Sequence, residues 1–220
     1  MKTFVIAGCR CGSHTLQKTL ENNGFTSRRG HNPFHYKFLY KDENFYDYID
    51  EEEDITLIDV YRPPIERKLS MFFKNMERNS NKFNNKNVEF FNDIFCRKFF
   101  ELNGYRNYSD FIISKYNLII PDFDFEKGYI KVKKGRITYV KILFSDIERW
   151  GDILSDIFGK KIKIYKDNIS TYSKYKETRD CLLITNSIYN FIRKDKYLKK
   201  NMTEQNRENY LNFWRERVRN

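Results

Sequence analysis

The chain of 220 residues is poor in glycine, with 9, and in proline, with 4. That excludes collagen-like and low-complexity classes. Long hydrophobic runs are missing too. Candidates such as Asn117-Leu118-Ile119-Ile120 and Cys181-Leu182-Leu183-Ile184 have the size of core strands or helix segments. A membrane span needs about 18–20 apolar residues. Only 4 cysteines are present, and Met1-Lys2 runs directly into a strand-like stretch with no apolar leader. The expectation is therefore a reducing compartment, free thiols and a cytoplasmic location. Cys9-Arg10-Cys11 is too tight for a zinc or redox CxxC, and no second pair completes it, so no metal is expected. Histidines number 3: His14, His31 and His35.

What is abundant is aromatic and basic. With 20 Phe and 16 Tyr the chain has ample apolar area for a core, which excludes a disordered chain. Its length suits one α/β or α+β domain spanning 1–220. Lys plus Arg is 41 against 30 for Asp plus Glu, a formal charge of +11. Such a balance suits a nucleic acid, an anionic nucleotide or an acidic glycan. A lysine-rich solvated surface outweighs the nucleic-acid reading, since no arginine-rich run or nucleic-acid module is present. Oligomeric state is not legible.

The periodicity predicts an α/β order. Thr3 to Ala7 reads as a strand and Ser13 onward as a helix, with Leu16 and Leu20 on one face and Gly24 as its stop. Phe25 to Ser27 reads as a second short strand, running into a polar loop from Arg28 to His31. Residues 32–50 are aromatic and ambiguous. Ile55 to Val60 is the clearest strand, apolar or β-branched throughout except Asp59, as a buried parallel strand should be. Pro64 suits a helix first turn, and Ile65, Leu69, Phe72, Phe73 and Met76 form a stripe behind it. Asn79 to Asn87 reads as a breaker, followed by helices near 88–102 and 106–116. Tyr129 to Val132 and Ile137 to Val140 flank Lys134-Gly135 as a hairpin. A helix over Asp146–Phe158 follows, then a short strand from Lys161 to Tyr165, a helical stretch over 172–194, and a last helix capped by Thr203.

Two constellations carry chemistry. The first is strand, Gly8-Cys9-Arg10-Cys11-Gly12-Ser13-His14-Thr15, helix. A turn of this kind directs backbone N–H groups and a helix dipole at an anion. Gly12 permits close approach, Arg10 adds a forked cation, and Ser13 and Thr15 add hydroxyls. No Lys follows Gly12, which departs from the Walker A string and weakens an ATPase or GTPase reading. The second is Tyr61-Arg62-Pro63-Pro64-Ile65-Glu66-Arg67-Lys68-Leu69-Ser70. Arg62 follows a buried strand at the end where open α/β sheets bind ligands. Ser70 lies about two helical turns further, so Arg62 and Ser70 can converge on one phosphate.

In this order the two segments resemble the sulfotransferases that use 3′-phosphoadenosine-5′-phosphosulfate (PAPS), most closely the capsular polysaccharide biosynthesis and carbohydrate sulfotransferase branch. The resemblance covers residues 1–76 well and the rest loosely. It implies a P-loop-like three-layer sandwich with a short, mostly parallel central sheet flanked by helices. It also implies transfer of a sulfuryl group from PAPS to a carbohydrate hydroxyl by in-line displacement, without a metal. The Arg10 to Thr15 loop (Arg10, Cys11, Gly12, Ser13, His14, Thr15) would hold the 5′-phosphosulfate. Arg62 and Ser70 would hold the 3′-phosphate. His31 follows the second strand, near where related enzymes place a base, with His35 as second choice; Glu43 and Asp59 stay open. Arg10 stands where many members have Lys, and Pro63 stands where they carry an acidic residue or Asn. The expected partners are a nucleotide donor and a hydroxyl acceptor. A degenerate P-loop nucleotide kinase and a non-catalytic nucleic-acid-binding protein are the alternatives.

Overall fold

The computed structural model describes residues 1–8, 10–41, 43–50, 53–77, 83, 85–102, 108–165 and 173–219, without the side chains of Phe34, Glu77, Tyr108 and Ser173. Cys9, Glu51, Glu52 and most of the 79–87 breaker lie outside them. The element order is β1 (Lys2–Val5), α1 (Ser13–Asn22), β2 (Thr26–Arg29), α2 (Pro33–Leu39), α3 (Phe45–Asp50), β3 (Ile55–Tyr61), α4 (Pro64–Glu77), α5 (Val88–Lys98), α6 (Tyr108–Lys115), β4 (Tyr129–Lys134), β5 (Ile137–Leu143), a 3₁₀ turn (Phe144–Arg149), α7 (Trp150–Phe158), α8 (Ser173–Cys181), α9 (Asn186–Arg193), α10 (Lys196–Asn201) and α11 (Glu204–Arg215). The chain divides into two compact units, one of Met1–Arg62 with Tyr105–Ile169 and one of Pro63–Gly104 with Ser170–Asn220.

The first unit is an α/β unit built on a five-stranded sheet in the order β2-β1-β3-β5-β4. All pairings are parallel except β4 with β5. Alternation assigns the faces. Phe4, Leu57 and Tyr139 are register partners across β1, β3 and β5 and face one way; Val5, Ile58 and Val140 face the other. On the Val5 side lie Leu16 and Leu20 of α1 with Trp150, Ile153, Leu154 and Ile157 of α7. On the Phe4 side lie Tyr36 of α2, Phe45, Tyr48 and Ile49 of α3, and Ile112 of α6. Helices thus cover both faces, as a parallel sheet requires.

Local chemistry sets the element ends. Helix α1 stops in a Schellman pattern: Gly24 is left-handed at φ 81°, its N–H donates to Glu21 O, and Phe25 N–H donates to Leu20 O. The β4–β5 hairpin turns through Gly135 at φ 54°. The strand expected over Lys161–Tyr165 does not form. Three of its N–H groups are taken by side chains instead: Ile162 by Ser155 Oγ, Lys163 by Asn23 Oδ1 and Tyr165 by Thr19 Oγ1. Arg28 and Arg29, expected in a loop, extend β2 through their ladder with Phe4 and Val5.

The second unit is helical. Phe72, Phe73, Phe91, Phe95 and Phe99 form its aromatic core, with Phe72–Phe95 edge to face at 5.7 Å. Lys68 is buried there, and its ammonium donates to Phe99 O at 2.6 Å and Leu102 O at 2.9 Å, beyond the end of α5. The stretch expected to be helical over 172–194 holds two helices, α8 and α9. Thr185 caps α9, and Ile184 forms a parallel bridge with Val218. Thr203 caps α11, accepting from Asn206 N–H at 3.1 Å, and Trp214 is buried. No described helix is long and apolar enough to cross a membrane.

Candidate active site

The carboxyl ends of β1, β2, β3 and β5 lie side by side in the α/β unit, so the segments that follow them share one edge of the sheet. This is where open α/β sheets bind ligands.

After β1 the chain makes a compact turn in which Cys11 N–H donates to Gly8 O at 3.2 Å. Arg10 and Gly12 are both left-handed, at φ 64° and 78°. Gly12 is the N-cap of α1 and offers no side-chain cap, so the first-turn amides of that helix are left to other acceptors. A Cβ at Gly12 would stand 2.7 Å from Trp150 Cη2 and 3.3 Å from Phe144 Cε2. The glycine is therefore demanded by backbone conformation and by the α7 side of the core, a reason that spacing did not reveal. Cys11, Ser13 and Thr15 are buried, whereas Arg10 and His14 are half-buried.

After β3, Arg62 reaches back to that turn. Its Nη1 donates to Arg10 O at 2.7 Å, and its guanidinium lies over the Phe144 ring at 4.2 Å. Phe144, which begins the segment after β5, is thus a platform for Arg62 and a wall against Gly12. Trp150, edge to face with Phe144 at 5.9 Å, is itself fixed by its indole N–H donating to Leu143 O at 2.9 Å. Neither aromatic stands out in the sequence as part of a site. Their signal is position: one follows a parallel strand, the other opens the next helix.

After β2, His31 packs against the same loop. Its Nδ1 is 2.6 Å from Ala7 O. A carbonyl only accepts, so Nδ1 carries the hydrogen and the neutral ring keeps its lone pair on Nε2. Burial lowers the His31 pKa from its ordinary value, with the Arg29 charge lowering it further against the pull of the Ala7 carbonyl. His35 stacks on His31, ring centroids 4.2 Å apart, and its Nδ1 accepts from His31 N–H at 3.4 Å. Burial, then the His31 and Arg29 charges, push His35 down to about 4. His35 is held at the start of α2, where its N–H donates to Asn32 Oδ1 at 2.8 Å.

The other base candidates sit differently. Glu43 is gripped by Arg28 and accepts from Tyr36 Oη at 2.5 Å; hydrogen bonding to Arg28 holds its carboxyl below the usual range. Asp59 is fully buried in the sheet, accepting from Tyr139 Oη at 3.0 Å and lying 3.7 Å from Lys141 Nζ. Both carboxylates are committed within the protein. Ser70 and Arg67 are buried on α4 and belong to the helical unit; Arg67 does not project to solvent as a surface arginine would. Among the described residues, no group of three or more His, Cys, Asp or Glu gathers as metal ligands would. Cys11, Cys96 and Cys181 are free thiols.

No family model, curated protein or solved structure matches the chain.

Proposed function

We propose that the chain is a PAPS-dependent sulfotransferase acting on a carbohydrate hydroxyl, with the P-loop-like arrangement of that family in its α/β unit. The observation that carries the reading is the bond from Arg62 Nη1 to Arg10 O, which ties the turn after β1 to the arginine after β3. Two segments read as anion-binding motifs, with Arg10 and Arg62 52 residues apart in sequence, share one strand edge, which suits a donor phosphorylated at both the 5′ and 3′ positions of one ribose.

In this reading the Arg10 to Thr15 segment takes the 5′-phosphosulfate through first-turn amides and the Arg10 guanidinium. Arg62 takes the 3′-phosphate, its guanidinium oriented by Phe144. Ser70 keeps its part in that role from the sequence motif alone. His31 Nε2 takes the proton of the acceptor hydroxyl as its oxygen attacks sulfur. The sulfur–oxygen bond to the 5′-phosphate breaks, giving a sulfate ester and adenosine 3′,5′-bisphosphate. Equatorial charge in such a displacement is stabilised by fixed donors, so positioning and electrostatics do most of the work.

Incubation with ³⁵S-labelled PAPS and a panel of neutral and acidic polysaccharides tests this. The expected result is label in the polysaccharide, with kcat reduced about 100-fold or more by His31→Ala. No transfer to any hydroxyl acceptor contradicts the reading, and full activity of His31→Ala removes His31 as the base.

A further inference from the structure

Arg28 and Arg29 are neighbours on β2 with opposite circumstances. Arg28 is satisfied: its Nε and Nη2 bond Glu43, and its guanidinium lies 4.9 Å from the centre of the Tyr40 ring. Arg29 is not. Its Nε is buried with no hydrogen-bond partner, and no carboxylate among the described residues pairs with it. Its backbone N–H donates to Tyr40 Oη at 3.3 Å, so that hydroxyl does not serve Nε. Glu43, the carboxylate that serves Arg28, also accepts from Tyr36.

A buried guanidinium nitrogen with no acceptor is rare in folded proteins and asks for an explanation. Place supplies one. Arg29 ends β2, at the same sheet edge as the Arg10 turn and Arg62, and its charge is felt by both His31 and His35. Both imidazoles are neutral at physiological pH, so the guanidinium carries the charge of this cluster. A guanidinium offers a planar fork that matches the two oxygens of a carboxylate or sulfate.

We infer that Arg29 binds an acidic group carried by the acceptor, a carboxylate or a sulfate ester, beside the hydroxyl that His31 deprotonates. The inference rests on the sulfotransferase reading for calling that ligand the acceptor. The preferred substrate is thus an acidic glycan over a neutral one. The oxyanion has one other source, the donor itself, and the experiment separates the two.

Binding of a glucuronate-containing tetrasaccharide and of a neutral glucose tetrasaccharide is measured by calorimetry for wild type and Arg29→Gln, together with adenosine 3′,5′-bisphosphate. Wild type should prefer the acidic oligosaccharide about tenfold or more. Arg29→Gln should lose that preference, keep nucleotide affinity within about twofold, and melt no lower than wild type, since no internal partner is abandoned. A structural arginine would lower the melting temperature instead. The inference is overturned by a wild type without preference, by a preference that survives Arg29→Gln, or by an equal loss of nucleotide affinity, which would assign the anion to the donor. If wild type prefers the acidic glycan but does not bind the nucleotide, the Arg29 site stands and the sulfotransferase reading falls.

Discussion

At the scale of single residues, the site depends on groups held in one state. His31 is fixed as the Nδ1–H tautomer by Ala7 O, and burial keeps it neutral. The acid limb of kcat/KM should therefore lie below the ordinary histidine value of about 6.5; a pH–rate profile with its limb at 6.5 or above contradicts this. His35 affects stability by the same physics. Its folded pKa, about 4, is below the unfolded value. The unfolded chain therefore binds more protons between pH 6.5 and 4, and this contribution to stability is lost as pH falls through that window. Melting curves should show a shallower loss for His35→Gln than for wild type over this range. Gly12→Ala meets two penalties, a left-handed backbone and a Cβ 2.7 Å from Trp150. Urea unfolding should report a loss of roughly 2–5 kcal/mol.

At the scale of elements, α4 is anchored through Lys68 by polar contacts that hydrophobic patterning does not reveal. Lys68 bonds the carbonyls of Phe99 and Leu102, and burial pushes its pKa down to about 8. Lys68→Met should cost roughly 2–4 kcal/mol in urea unfolding, because two buried carbonyls lose their donor. The folded pKa is again the lower one, so the lysine's contribution increases between pH 8 and 10.5. The elements most legible in sequence are those whose pattern has one solution. Ile55 to Val60 reads as a strand buried on both faces, which the structure carries to Tyr61, and Gly24 and Gly159, both left-handed, mark the ends of α1 and α7. Residues 32–50 are opaque because Tyr and Phe fit a helix face and a strand face equally. Only contact with Phe4 of β1 selects helices, with Tyr36, Phe45 and Tyr48 all in ring contact with it. The Lys161–Tyr165 stretch has strand composition, yet three side chains remove its amides from any ladder. In the site, the motif residues can be named from spacing. The Ala7 carbonyl, the Phe144 platform and the unsatisfied Arg29 cannot, because each is defined by a partner, or the lack of one, across the sheet edge.

At the scale of the whole molecule, the +11 charge admits a nucleotide, an acidic glycan or a nucleic acid. Salt separates them. Binding through phosphate neutralisation alone weakens steeply with ionic strength and ignores nucleotide identity; duplex DNA should accordingly be retained only weakly at physiological salt. Tight retention there favours the nucleic-acid alternative. A kinase would need magnesium and ATP, whereas sulfuryl transfer from PAPS needs neither. The sulfotransferase reading stands on the turn after β1 and Arg62 after β3 holding two ends of one adenosine donor. Calorimetric titration, without magnesium, of wild type and Arg62→Ala with adenosine 3′,5′-bisphosphate and with adenosine 5′-phosphate decides whether they do. Wild type should bind the bisphosphate more tightly by about 10- to 100-fold, and Arg62→Ala should erase that difference. Equal affinity of wild type for the two nucleotides, or no binding of either, rules the shared donor site out.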